Sequence, residues 1–348
     1  MPKINKKHQG KEFKSFFRFV GKVKKTVKGV GEDAKQQPIF QTTKTQTGKD
    51  RRVLQFDVLT NKYNNVKVDV AGMEFEFANL FSSTHKKSFR IKWADRNDKT
   101  KYPDKTYHLI TPDWDLAKEL SEKFNEGDWV EVRGKYEFDR YTNNEGKESL
   151  FVKRIINSVE KVEDGQEITL RDKSEVKYVC DFDSPDFVEV NYFELEIGIK
   201  STWQDEETKD TVVNAVFLDY GKERSTPKDV KLVCYYQEPE EGKKALADAF
   251  AKLQEYDFVQ VVGVDNNRPI FSEVTETAQV DEDDPFAEVG EQVAQTSSVI
   301  SGNKKGLEIT SIVVNTYQKQ LLTEEEIKPT AEQELGSEIS IDDDDLPF

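Results

Sequence analysis

Short runs in which apolar and polar residues alternate recur through the first third of the chain: Phe17/Phe19, Val53/Leu54 with Phe56/Val58, Val66/Val68/Val70 and Phe89/Ile91/Trp93. Their period of two, their β-branched and aromatic content and the Asn, Gly, Asp and Lys clusters between them predict strands with one face in a core. The period changes in TPDWDLAKELSEKFNEGDW (111–129), where Leu116, Leu120 and Phe124 recur at i, i+4 and i+8. Thr111 or Asp113 can cap that segment and Gly127 can stop it, so it predicts one short helix. Two further strands follow, Val130–Phe138 and Leu150–Val159, joined by the turn-rich DRYTNNEGKES.

The same order then returns. NEGDWVEVRG (125–134) aligns without gaps to QEYDFVQVVG (254–263) at an offset of 129, and each follows an amphipathic segment, the second with Leu246, Phe250 and Leu253 in step. YFELEIGIK (192–200), VVNAVFLDYG (212–221) and VKLVCYY (230–236) supply the preceding strands, while EKVEDGQEITLRDKSEV (160–176) reads as a charged connector. Beyond residue 278 the chain is acidic and rich in small residues, too poor in apolar area to order itself, with LEITSIVVNTY (307–317) as a late edge strand. Three strands, a helix and two strands is the order of the five-stranded OB barrel. An SH3-like barrel lacks the helix at that point, and a ferredoxin-like domain needs one after its first strand. The expected fold is therefore all-β with short helices: a basic arm (1–10), an OB-like domain (11–162), a linker (163–185), a second OB-like domain (186–278), an acidic flexible region (279–336) and a terminal tip (337–348).

Composition bounds the function. The 348 residues are 36% apolar and 34% charged, which suits one to three globular domains. No apolar run approaches a membrane span and the first residues lack a secretory apolar block, so a cytoplasmic protein is expected. Cys180 and Cys234 with His8, His85 and His108 lack disulfide-scaffold or zinc spacing, and no cofactor is expected. The net charge of −16 is unevenly spread. Residues 1–107 carry 25 Lys/Arg against 11 Asp/Glu, whereas 108–280 carry 22 against 39 and 281–348 carry 4 against 17. A basic head can hold a polyanion while an acidic tail meets a different partner.

Within the head, basic and aromatic residues interleave in KEFKSFFRFVGKVKKTVKG, KKSFRIKW and RNDKTKY. On a strand, KSFRIKW turns Phe89, Ile91 and Trp93 toward a core and Arg90 and Lys92 away from it. Cations that track phosphates beside rings that stack on bases are what single-strand binding requires. The candidate cations are Arg18, Lys22, Lys24, Lys25, Lys28, Arg51, Arg52, Lys86, Lys87, Arg90, Lys92, Arg96 and Arg140, and the candidate rings are Phe16, Tyr63, Tyr102, Tyr107 and Tyr141. Enzymatic signals are poor. No P-loop spacing occurs, and Asp219, Asp229, Lys200 and Lys231 only loosely suggest a Mg²⁺ nuclease.

The C-terminus SEISIDDDDLPF combines an acid run, Asp342, Asp343, Asp344 and Asp345, with Leu346, Pro347 and a terminal Phe348. A ring for an apolar pocket, a chain-end carboxylate and charges for a basic rim form a peptide-docking device. This end resembles the acidic tip of bacterial single-stranded-DNA-binding proteins, and GDWVEVRGKYEFDRYTNNEGK (127–147) and DEDDPFAE (281–288) are also similar to segments of that family. The family members are about half this length with one OB-fold, so the resemblance implies a tandem, phage- or mobile-element-type relative in a bacterial cell. It implies a non-enzymatic protein that coats single-stranded DNA and recruits replication, recombination or repair proteins through the tip. The second domain, too acidic for an obvious groove, is expected to self-associate or to pack on the first. The alternatives are an adaptor whose head binds RNA or an acidic protein and, more remotely, the Mg²⁺ nuclease.

Overall fold

The computed structural model describes residues 12–29, 34–45, 47–142, 148–219, 225–276 and 295–327. β1 (Ser15–Lys24) is followed by a minimal ladder of β2 (Val27–Lys28) with β3 (Lys35–Gln36), then by β4 (Phe40–Lys44), β5 (Asp50–Leu59) and β6 (Asn65–Met73). A separate sheet of β7 (Phe77–Ser82), β8 (Lys87–Lys92) and β9 (Tyr107–Leu109) precedes helix α1 (Asp113–Ser121), after which come β10 (Trp129–Thr142) and β11 (Glu148–Lys161). β1 pairs with β5 and β10, β5 with β6, β6 in parallel with β11, and β11 with β10. This closes a five-stranded ring with its helix between the third and fourth strands, the OB topology. Alternation explains the closure: Phe17, Phe19, Leu54, Phe56, Val58, Val66, Val68 and Val70 all point inward and are buried.

A hairpin of β12 (Glu167–Thr169) and β13 (Glu175–Lys177) leads into a second ring of β14 (Val190–Gln204), β15 (Thr211–Asp219), β16 (Thr226–Cys234), β17 (Phe258–Glu276) and β18 (Gln295–Ile312). Helix α2 (Leu246–Phe250) lies between β16 and β17, and α3 (Glu324–Ile327) follows β18. The pairings repeat those of barrel 1: β14 with β15 and β17, β15 with β16, β16 in parallel with β18, and β18 with β17. The segment 307–317 is thus no edge strand; its first half ends β18, which is held between β16 and β17.

The barrels are joined through their first strands. β1 runs antiparallel to β14 with Phe17 opposite Phe193, making one continuous sheet of eleven strands. These two rings are corresponding residues: Phe17 faces Gly134 in β10, and Phe193 faces Gly263 in β17. Gly134 and Gly263 end the two copies of the repeat, and each sits at a β-bulge. A Cβ at Gly134 would overlap the Phe17 ring and the Ile155 carbonyl, and one at Gly263 the Phe193 ring and the Glu308 carbonyl. The connector is folded too. Val162, Ile168 and Tyr178 pack on Val20 and Val190, with Trp129 and Phe187 around them, covering the outer face of the β1–β14 ladder.

A buried polar network ties the barrels together. Arg154 of β11 donates two bonds to Asp265 of β17, at 2.6 and 2.7 Å, and the Tyr136 hydroxyl donates to the same carboxylate at 2.9 Å. Burial alone would lower the Arg154 pKa, but the Asp265 carboxylate holds it above its ordinary value. Burial, with the Asp265 charge, pushes the Tyr136 phenol well up.

Candidate nucleic-acid interface

The inserted sheet overhangs barrel 1 and leaves a cleft of about 570 Å³ between them. Its barrel side is Thr45, Arg51 and Ala71 to Met73; its sheet side is Phe75, Phe77 to Asn79 and Trp93, and Ile110 to Asp113 close the end. The ladder explains what faces it. Lys92 lies opposite Phe77 and Arg90 opposite Asn79, and opposed residues of an antiparallel pair share a face. The Arg90 guanidinium consequently covers the Phe77 ring, 4.6 Å from its centroid. Phe75 is 62% exposed and meets Trp93 edge-on, and Ile110 is 53% exposed. The overhang is fastened by Arg96, which stacks on Trp93 at 4.2 Å and grips Asp115 of α1 with two bonds of 2.6 and 2.9 Å. The Trp93 indole nitrogen is buried without a hydrogen-bond partner.

The structure sorts the candidate residues into three groups. Arg51 lines the cleft, and Arg90 and Lys92 adjoin its Phe77, Arg90 over the ring and Lys92 opposite it in the ladder, with exposed Lys86 and Lys87 at the β7–β8 turn. Lys22, Lys24, Lys25, Lys28 and Tyr63 gather at the other end of the barrel: Lys22 pairs with Leu59, eight residues along β5 from Arg51, about 26 Å at strand rise. Lys25 is additionally ion-paired with Glu126. The third group is engaged in contacts within the protein. Arg18 points to the covered face of β1, where it is buried and bonds Glu131 and the Thr169 carbonyl. Phe16, on the first strand as well, leans half-buried on Tyr192. Arg52 stacks on Trp114 and donates to its carbonyl, Arg96 is the strut described above, and Arg140 ion-pairs with Asp229 of barrel 2. The Tyr102 hydroxyl donates to the Arg96 carbonyl, and Tyr107 packs half-buried against Phe89 and His85. The side chain of Tyr141, the arm 1–10, the segment 281–288 and the tip with Asp342 to Phe348 lie outside the described residues.

The strand Phe89/Ile91/Trp93 is corrected as well. It belongs to the inserted sheet; only Ile91 is buried, Phe89 is 43% exposed, and Trp93 falls in the helical turn after the strand. Phe75, Phe77 and Ile110, the apolar lining of the cleft, were not anticipated. The signal for Phe75 and Phe77 is in MEFEF, where rings at i and i+2 alternate with glutamates.

On the barrel wall below, burial raises the Asp69 pKa although Lys67, Lys153 and Arg51 oppose it. Burial, with the Glu137 charge, raises that of Asp113. Among the described residues no cluster of three His, Cys, Asp or Glu suits a metal ion. Asp229, named in the nuclease reading, is held by Lys200 and Arg140.

The YorF family model matches residues 24–344, from the last residue of β1 onward. The chain belongs to the YorF family. No curated protein matches its sequence. Two crystal structures of the single-stranded DNA binding protein from Thermus aquaticus are similar to this YorF chain, the wild type and a deletion mutant, each at 11% identity and a TM-score of 0.36. The likeness covers 87% of this chain and 93% and 94% of theirs. The two-barrel topology of the YorF chain rests on its own strand ladders, and no helix among the described residues is long and apolar enough to cross a membrane.

Proposed function

We propose that this YorF protein is a non-catalytic binder of single-stranded DNA that holds the strand in the cleft between barrel 1 and its inserted sheet. The observation that carries this reading is the lining: exposed Phe75 and Ile110 and the Phe77–Arg90 stack, faced across the opening by Arg51. Rings give bases a sequence-tolerant surface and the arginines meet phosphates. The tip Asp342 to Phe348 would then capture replication, recombination or repair proteins by its ring and its aspartates.

Anisotropy titrations of labelled oligo(dT), and of a duplex of equal length, over a salt series test the first part. Tight, salt-sensitive binding of the single strand and weaker binding of the duplex are expected. Equal affinity for both, or Mg²⁺-dependent cleavage of the oligonucleotide, would overturn it. The second part is tested by a pull-down from bacterial lysate, in which Phe348→Ala should lose capture while DNA affinity stays unchanged.

A further inference from the structure

Barrel 2 has no counterpart of the inserted sheet: only residues 235–245 separate β16 from α2. The outer face of its first three strands is therefore not overhung. Trp203, Val212 and Val233 stand opposite one another across β14, β15 and β16, and Ser201, Asn214 and Lys231 form the next row. Trp203 is 59% exposed, and Ser201, Asn214 and Lys231 are exposed beside it. Tyr235 continues the line of Val233, with the Lys304 ammonium 3.9 Å from its ring centroid.

At the other end of this face the barrels meet in a seam of ion pairs. Asp229 is shared by Lys200 and Arg140, and Asp139 by Lys153 and Lys228. Burial, and after it the Arg140 charge, lowers the Lys200 pKa, with Glu255 opposing. Lys153 also acts on Asp69 together with Arg51, against Glu137, so charges of both signs run from the cleft of barrel 1 to the seam. The carboxylates bordering Trp203 and Tyr235 are engaged: Asp205 with the amides of Glu207 and Thr208, Asp210 with that of Tyr236, Asp248 with Gln204, and Glu308 with Asn266 and Lys304.

We propose that the outer face of β14, β15 and β16 is a second single-strand platform, where bases stack on Trp203 and Tyr235 and phosphates meet Lys231 and the seam at Arg140 and Lys200. One strand then passes from barrel 1 onto barrel 2 of the same chain. This rests on the reading that the ligand is single-stranded DNA, and it gives the acidic second half of the molecule a direct share in binding.

The test compares, on the full chain, an oligo(dT) of about 12 nucleotides, within one barrel's footprint, with one of about 30 that spans both. Wild type should bind the longer strand more tightly. Trp203→Ala should weaken the longer strand about tenfold and leave the shorter unchanged, with Trp203→Phe restoring most of the loss. Lys231→Glu should lower the salt slope for the longer strand by about 0.7 or more. Wild-type affinity independent of length, or Trp203→Ala and Lys231→Glu equal to wild type on the longer strand, would overturn the second platform while leaving the cleft of barrel 1 intact. Failure of the wild type to bind either strand would overturn both readings.

Discussion

Gly134 and Gly263 stand at the same place in the two barrels, and so do the turns that lead to them. Asp128 accepts the Asn125 amide and Asp257 the Gln254 amide, both 129 residues apart, and each turn has a residue of positive φ, Gly127 in barrel 1 and Tyr256 in barrel 2. What repeats is the machinery of closure: a tight turn, an inward strand, and a glycine that lets a phenylalanine of the first strand lie across the bulge. What differs is outside the ring. Barrel 1 inserts 39 residues, Glu74 to Pro112, between β6 and α1, and barrel 2 places 11 between β16 and α2. The same barrel thus becomes an overhung cleft in one half and an open face in the other.

The severest break in this comparison concerns a pair of equivalent positions that chemistry has separated. Tyr136 and Asp265 correspond, yet one is a phenol and the other a carboxylate, and they meet at Arg154. Arg154→Ala leaves a buried, uncompensated Asp265 and should destabilise the protein by about 3–5 kcal/mol in urea unfolding. The double change Arg154→Met with Asp265→Leu should recover much of that, because the charge needing a partner is gone. Recovery no better than the single change would show that the network, and not the lone carboxylate, sets the cost. Next come Gly134→Ala and Gly263→Ala. Each places a methyl on a phenylalanine ring and a backbone carbonyl, for an overpacking cost of about 1–3 kcal/mol. If closure is equivalent the two costs agree within about 1 kcal/mol; a clear disparity would mean that one ring relaxes where the other cannot.

The repeat was legible because it encodes local geometry: the turn, the inward valines and the bulge glycine are all fixed within ten residues. The alternating strands and the helix before each copy were legible for the same reason. The inserted sheet was not, since alternation in KSFRIKW states which residues share a face but not which strand lies alongside. Arg18 reads like any basic residue of β1 until the hairpin β12–β13 is seen to cover that face. The connector itself looked unstructured because its few apolar side chains, Ile168, Val176 and Tyr178, are diluted by charge. They converge only once the hairpin forms.

The cleft distinguishes the halves functionally, and its predicted effects are smaller. Phe75→Ala removes an exposed ring and should cost about 1–3 kcal/mol of oligo(dT) affinity at constant melting temperature. Arg90→Glu with Lys92→Glu should lower the single-strand salt slope by about 1.4 or more, two contacts' worth. An unchanged slope in this folded double variant would remove the rim of the inserted sheet from the interface.

The smallest effect sharpens the comparison at the barrel wall, where barrel 1 holds Asp69 among Lys67, Lys153 and Arg51. Burial raises the pKa of this carboxyl in the folded protein, so the folded state binds the proton more tightly than the unfolded chain does. Stability contributed by the protonated form is therefore present at low pH and is lost as the pH rises from the unfolded value through the raised folded one. Asp69→Asn, which mimics the protonated group, should be more stable than wild type at neutral pH, and that advantage should shrink steadily as the pH falls through the folded pKa. Chemical denaturation of both proteins from neutral to acidic pH measures it. An advantage that persists unchanged at acidic pH would mean that the asparagine gains by packing, and that the surrounding cations already balance the ionised carboxylate. The same substitution removes a negative charge from the line between the cleft and the seam, so strand affinity at neutral pH should rise slightly, and less so under acidic conditions, where wild-type Asp69 is itself neutral.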